Sequence, residues 1–206
     1  MPYMYNTQPS FMLGFHGCDK SLVEDVISGR NMLRASENDY DWLGNGIYFW
    51  ENDPVRALQY AQLLQENPIR SNAKISEPAV LGAVLDLGHC LNLMESSSLR
   101  MLRDTYDSLN ELMSASGNAL RVNSAPPGTG HDLLLRRLDC SVIEYLHKKN
   151  TERDFDTVRG LFFEGEDLYP NAGFKTKNHI QICVRNPNCI KGFFLPRESD
   201  TKYPVP

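Results

Sequence analysis

A chain of 206 residues is long enough to bury one hydrophobic core without disulfides or metals. Its 41% hydrophobic and 23% charged residues exclude wholesale disorder. The formal charge of −5 speaks against a protein that blankets nucleic acid with Lys and Arg, and leaves room for a local basic groove.

Five cysteines, Cys18, Cys90, Cys140, Cys183 and Cys189, are odd in number and lack the CxxC spacing of a zinc site. They read as reduced thiols of a cytoplasmic protein with no bound metal. The opening "MPYMYNTQPS" has neither the basic start nor the apolar stretch of a secretory signal, and no 18-residue apolar run exists, so no membrane is expected.

In chain order, "FMLGFHG" (11–17) predicts a short buried strand. "SLVEDVISG" predicts a helix with Ser21 as N-cap, Glu24 as capping-box partner and Gly29 as the stop. Residues 46–50 form a second strand, and "NDPVRALQYAQLLQE" follows as a helix with Asp53 as cap and Pro54 in its first position. "AVLGAVLDLG" (79–88) reads as a central strand. Helical periodicity runs through 97–115 and 131–149, separated by the turn-rich "SAPPGTGH". "VRGLFF" (158–163), "HIQICV" (179–184) and "CIKGFFL" (189–195) close the chain as strands. Strands at both ends with helices between them predict one α+β domain over 1–206, with a helical insertion at about 96–150.

Three groups stand at or beside these strands: His16, Tyr48 and Gln181. Gln181 alternates with Ile180 and Ile182, so it faces the opposite side of its strand, toward solvent or a pocket. "GFHG", then "GNGIYFWENDPVRALQYA", then "HIQICVRNPNCI" together resemble the ADP-ribosyltransferase superfamily of the poly(ADP-ribose) polymerase and diphtheria-toxin type, marked by His, Tyr and Glu on three strands. His16 and Gly17 match the first element, Tyr48 and Tyr60 the second, and Gln181 stands in place of the Glu. The resemblance covers roughly residues 11–64 and 158–195. It implies a split mixed β-sheet, NAD as co-substrate, and a bacterial or phage-type enzyme of the toxin, defence or regulatory kind with an inhibitory, antitoxin-like partner.

The chemistry fits the residues. Nicotinamide in NAD is a flat cation, and Tyr48 and Tyr60 are the rings expected to hold it, at about 0.5–2 kcal/mol per cation–π contact. Gly17 would let backbone groups reach the carboxamide, and His16 would hydrogen-bond a ribose hydroxyl. Breaking the glycosidic bond develops positive charge on the ribose, for which a carboxylate is the natural stabiliser. An amide at 181 orients a hydroxyl without supplying charge, so single ADP-ribose transfer is expected rather than polymer formation.

"FFEGEDLYPNAGFKTKN" (162–178) lies where the resemblance puts a target-recognition loop. Glu164 is its best candidate for a substitute carboxylate, with Glu166 on the acceptor side. His179, two positions before Gln181 and on the same strand face, is a second polar group there. Arg34 and Ser36 are candidates for the adenosine side, and Arg56 stands near where the family places a Ser that binds the carboxamide; each reads equally as surface. The acceptor, whether protein, nucleic acid or small molecule, is open. So is the alternative of a pseudoenzyme that only binds NAD or ADP-ribose, or an interaction protein.

Overall fold

A computed structural model describes residues 11–67, 75–126, 132–150 and 152–204. The first strand, β1 (Met12–Asp19), pairs antiparallel along its whole length with β3 (Pro78–Leu85), from Met12↔Leu85 to Asp19↔Pro78. β9 (Ile190–Phe194) adds to the far side of β3. A second block is built from β2 (Ile47–Glu51), β8 (His179–Val184), β7 (Thr157–Phe162) and β4 (Cys90–Asn92). All of its pairs are antiparallel except β4 with β7. The seven-stranded order is β4-β7-β8-β2-β1-β3-β9. Among the described residues the β-ladder joining the two blocks is short, pairing Gly14↔Glu51 and Phe15↔Trp50.

Among the described residues four α-helices dress this sheet: α1 (Lys20–Ile27), α2 (Pro54–Glu66), α3 (Ser96–Ala115) and α4 (Arg137–Lys149). On one face, Phe49, Leu81, Ala83, Leu85, Ile182 and Val184 form a core with Val23 and Val26 of α1. On the other, Leu43, Leu91, Val158, Phe162 and Cys183 pack under Ile143 and Leu146 of α4. A third cluster, Phe15, Trp50 and Ala57, seats α2 where the blocks join.

Two expected boundaries shift. Asp19, not Ser21, caps α1: its Oδ1 accepts from Ser21 N at 2.9 Å, and Ser21 Oγ donates to the same oxygen, so no capping box forms with Glu24. Asp19 prevails because its Oδ2 also accepts from Ser76 N, Ser76 Oγ and Glu77 N, tying the end of β1 to the entry of β3. The helix expected from 131 begins at Arg137. Residue 131 lies outside the described residues; Leu135–Arg136 (β6) pairs with Asn123–Ser124 (β5), and Asn123 Oδ1 accepts from Leu138 N and Asp139 N. That cap comes from a segment 15 residues away, so no local pattern marked it. The strand β4 was not expected at all; three residues are too few for a periodic signal.

Candidate active site beside the break in the sheet

Along β1 the peptide groups alternate between neighbours. Asn52 N–H donates to Leu13 O at 2.9 Å, so the odd-numbered residues of β1 turn their backbone groups toward β2. The ladder stops after Phe15↔Trp50. One step further it would join Gly17 N–H to the Tyr48 carbonyl. That carbonyl is taken instead by His16 Nδ1 at 2.8 Å, and the imidazole wedges the blocks apart, leaving Gly17 N–H beyond the last pair. Because a carbonyl only accepts, Nδ1 carries the proton. Burial holds the His16 pKa below its ordinary value, so the ring is neutral.

His16 lies on the Phe49 face of the sheet, edge-on to that ring at 5.9 Å, with Gly14 and Cys18. Gly17 lies on the other face, where a Cβ would overlap the backbone oxygen of Ala57 in α2. The missing side chain therefore admits the helix first.

Tyr48 shares the α2 side of the sheet but is engaged. Its hydroxyl accepts from Leu43 N at 2.9 Å and donates to Gly44 O at 2.6 Å, fixing the turn before β2, and its ring packs with Leu43 and Cys183. Burial pushes the phenol pKa well up, so it stays protonated. Trp50, two residues on, faces the same way; its ring lies 4.9 Å from that of Tyr60. Across the ladder from Trp50 is Gln181, buried, whose carboxamide makes no hydrogen bond among the described residues.

His179 occupies the start of the same strand, its side chain fully enclosed. Ring neighbours are Trp42 at 6.0 Å, Phe162 at 5.7 Å and Trp50 at 6.4 Å. Nδ1 donates to Lys177 O at 2.7 Å; Nε2 is buried without a partner. Burial lowers its pKa, and Arg56 adds to this, while the bond to Lys177 O and the charges of Glu164 and Asp53 oppose them. The imidazole is neutral, with a bare Nε2.

Glu164 is buried and accepts from Arg56 Nη2 at 2.9 Å; its carboxylate also lies 3.9 Å from Lys177 Nζ and 4.0 Å from His179 Nδ1. Two more buried polar atoms here lack partners, Trp50 Nε1 and Arg56 Nε.

The fold thus gathers Arg56, Tyr60, Glu164, His179 and Gln181 beside the break. It places His16 on the reverse face, and Tyr48 within the wall. Arg34 is exposed, Ser36 pairs with Gly46 and accepts from Asn38 Nδ2, and Glu166 is exposed, its carbonyl accepting from Thr176 N. Trp42, Trp50 and Phe162 were not assigned roles from sequence, nor was Arg136, whose guanidinium lies over Trp42 at 4.5 Å and Phe162 at 4.8 Å. For Trp50 a signal existed: position i+2 from Tyr48 shares its strand face.

No protein-family model matches this chain, and no solved structure does. A protein of Methanocaldococcus jannaschii, itself described as uncharacterized, is 25% identical over 196 residues, covering 86% of this chain and 83% of its own. Among the described residues no cluster of three His, Cys, Asp or Glu could hold a metal, and no helix is long and apolar enough to cross a membrane.

Chemically, the arrangement offers a tilted pair of aromatic rings (Trp50, Tyr60), an unpartnered amide, a neutral imidazole and a carboxylate countered by a guanidinium. Such a set can hold a planar cation and manage one proton.

Proposed function

We propose that the protein is an NAD-dependent mono-ADP-ribosyltransferase on an ADP-ribosyltransferase-like split sheet, acting in the cytoplasm. The observation that carries this reading is the break between β1 and β2, with Gly17 N–H left beyond the ladder beside the Trp50–Tyr60 rings and the unpartnered Gln181 amide. A primary carboxamide on a pyridinium ring needs an amide donor to its oxygen and an aromatic face for its cation, and Gly17 N–H and the Trp50–Tyr60 rings are the groups that would supply them. Trp50 joins Tyr60 and Tyr48 as a candidate stacking ring; the Tyr48 hydroxyl is held by Leu43 N and Gly44 O, which fixes where its ring stands.

In this reading the cleft holds the nicotinamide ribose near Gln181, whose amide orients a ribose hydroxyl. The bond from ribose C1′ to the nicotinamide nitrogen breaks, its electron pair neutralising the pyridinium, and the acceptor attacks C1′. Residues 164–178 grip the acceptor, and an inhibitory partner would be expected to cover the same cleft. No metal takes part.

A second reading, binding of NAD without turnover, is favoured by one feature: the nearby carboxylate, Glu164, is already neutralised by Arg56. Calorimetric titration with NAD tests the shared premise. At 100 times its dissociation constant NAD should stabilise the fold by about 2.7 kcal/mol. Nicotinamide release, followed by chromatography, separates enzyme from binder; absence of both binding and release rejects both readings.

A further inference from the structure

Among the described residues five buried side-chain polar atoms lack partners; His147 Nε2 and Arg136 Nε are two, and the other three, Trp50 Nε1 on β2, Arg56 Nε on α2 and His179 Nε2 on β8, belong to neighbouring side chains. Their side chains are neighbours: the Trp50 and His179 rings lie 6.4 Å apart, and Arg56 Nη2 and His179 Nδ1, the other nitrogens of two of them, lie 2.9 and 4.0 Å from Oε2 of Glu164. Buried polar atoms in folded proteins nearly always find a partner, so three orphans on three elements point to a group that enters from outside.

Their chemistry limits what that group is. Trp50 Nε1 and Arg56 Nε only donate. His179 Nε2 only accepts, because Nδ1 already gives its proton to Lys177 O. A group that satisfies all three has lone pairs and a hydrogen together: a primary carboxamide does so through two atoms, and a hydroxyl or water through one, with a proton it can give up to a base. An ammonium or guanidinium has no lone pair for the two donors; a phosphate or carboxylate has no hydrogen for the imidazole.

Building on the ADP-ribosyltransferase reading, we propose that His179 is the general base of the transfer and that the acceptor is a hydroxyl. The acceptor oxygen, held by Trp50 and Arg56, attacks C1′ of the ribose. As that C–O bond forms, the C1′–N bond breaks with its electrons passing to nicotinamide, and the acceptor proton moves to His179 Nε2, which later yields it to solvent. The imidazole supplies the basicity that the Gln181 amide lacks. Charged groups around it are Arg56 and Asp53 of α2, Glu164 after β7, Lys177 before β8, and Arg136 behind Trp42 and Phe162.

His179→Asn tests this directly, because the Asn amide N–H can keep the bond to Lys177 O while no base remains. Nicotinamide release is measured from pH 4.5 to 8.5 with NAD in water, in 2 M methanol as hydroxyl probe, and with agmatine as guanidine probe. Wild type should show a rate that rises to a plateau through a pKa below 6.5 and should form methyl ADP-ribose but no agmatine adduct. The variant should bind NAD unchanged, lose roughly 100-fold or more in rate, and lose the pH step. On unaltered protein, imidazole nitrogen NMR should report the Nδ1–H tautomer, a readout that does not depend on the variant folding. Turnover and pH step retained in the variant, an agmatine adduct, or an Nε2–H tautomer overturns this assignment while leaving the transferase reading intact. Wild type that neither binds nor cleaves NAD overturns both. If the orphans hold only a structural water, the variant changes melting temperature without changing the pH profile, which also overturns the assignment.

Discussion

Substituting Gly17→Ala tests whether the close seat of α2 on β1 depends on an absent methyl group. The new Cβ would overlap Ala57 O, stand 2.8 Å from the Ala57 carbonyl carbon and 3.4 Å from Ala61 Cβ. Carbon contacts are comfortable at about 3.5–4.0 Å, and the obstructing atoms are helix backbone, so α2 must retreat by about 1 Å. Overpacking of this kind costs about 1–3 kcal/mol, which for a domain of this size lowers the melting temperature by about 2–12 °C. Gly192→Ala is the control: nothing lies within 4 Å of its Cβ position, and its backbone is not left-handed. There the lost freedom of the unfolded chain should leave stability unchanged or raise it by up to about 1 kcal/mol. Thermal unfolding followed by circular dichroism reads both. Because α2 carries Arg56 and Tyr60, the Gly17 variant should also bind NAD more weakly. Equal melting temperatures for the two variants would refute the argument that Gly17 exists to admit the helix.

Glu164→Gln removes the countercharge of Arg56 at a site where each side chain is 11% exposed, and should destabilise the fold by about 3 kcal/mol in urea titration. Pairing it with Arg56→Gln should recover part of that loss; strictly additive effects mean that the pair is not coupled. Tyr48→Phe strands Leu43 N–H and Gly44 C=O, at a cost of about 1–3 kcal/mol, and an unshifted unfolding midpoint indicates that the hydroxyl does not hold the turn. Asp19 has a folded pKa lowered chiefly by the Ser21 and Glu77 donors. Its contribution is therefore present above the unfolded carboxylate value of about 3.9 and is lost as pH falls below it. Asp19→Asn should flatten the decline in melting temperature between pH 4 and 2; an unaltered slope would assign that decline to other carboxylates.

What was readable in the sequence was whatever the chain decides locally. His179–Val184 follows from alternation, and α2 from Asp53 and Pro54 at its start, where Asp53 Oδ1 does accept from Arg56 N. Less legible was everything set by distant partners. Alternation places His179 and Gln181 on one face but says nothing of depth, so it could not reveal that the imidazole lies inside an aromatic enclosure. That enclosure joins Trp42 to His179 across 137 positions. The side of β1 that His16 occupies was likewise invisible, because a short strand buried on both faces carries no polar–apolar contrast.

The break in the sheet and the orphaned atoms belong to one argument. A continuous ladder between β1 and β2 would have satisfied Gly17 and Tyr48 with each other, and the fold instead spends the Tyr48 carbonyl on an imidazole. Nearby, three buried atoms go without partners, each at about 1–3 kcal/mol. Together they are comparable with the whole net stability of a typical domain, about 5–15 kcal/mol. A chain that only needed to fold would gain by closing the ladder and replacing those atoms with apolar ones. Their presence beside the shortened β1–β2 pairing is the pattern expected of a cleft whose polar groups are completed by a ligand. It follows that ligand binding there should raise the melting temperature, and that changing Trp50, Arg56, Glu164 and His179 together to apolar residues, so that neither charge of the buried pair is left alone, should raise the stability of the free protein while removing that shift.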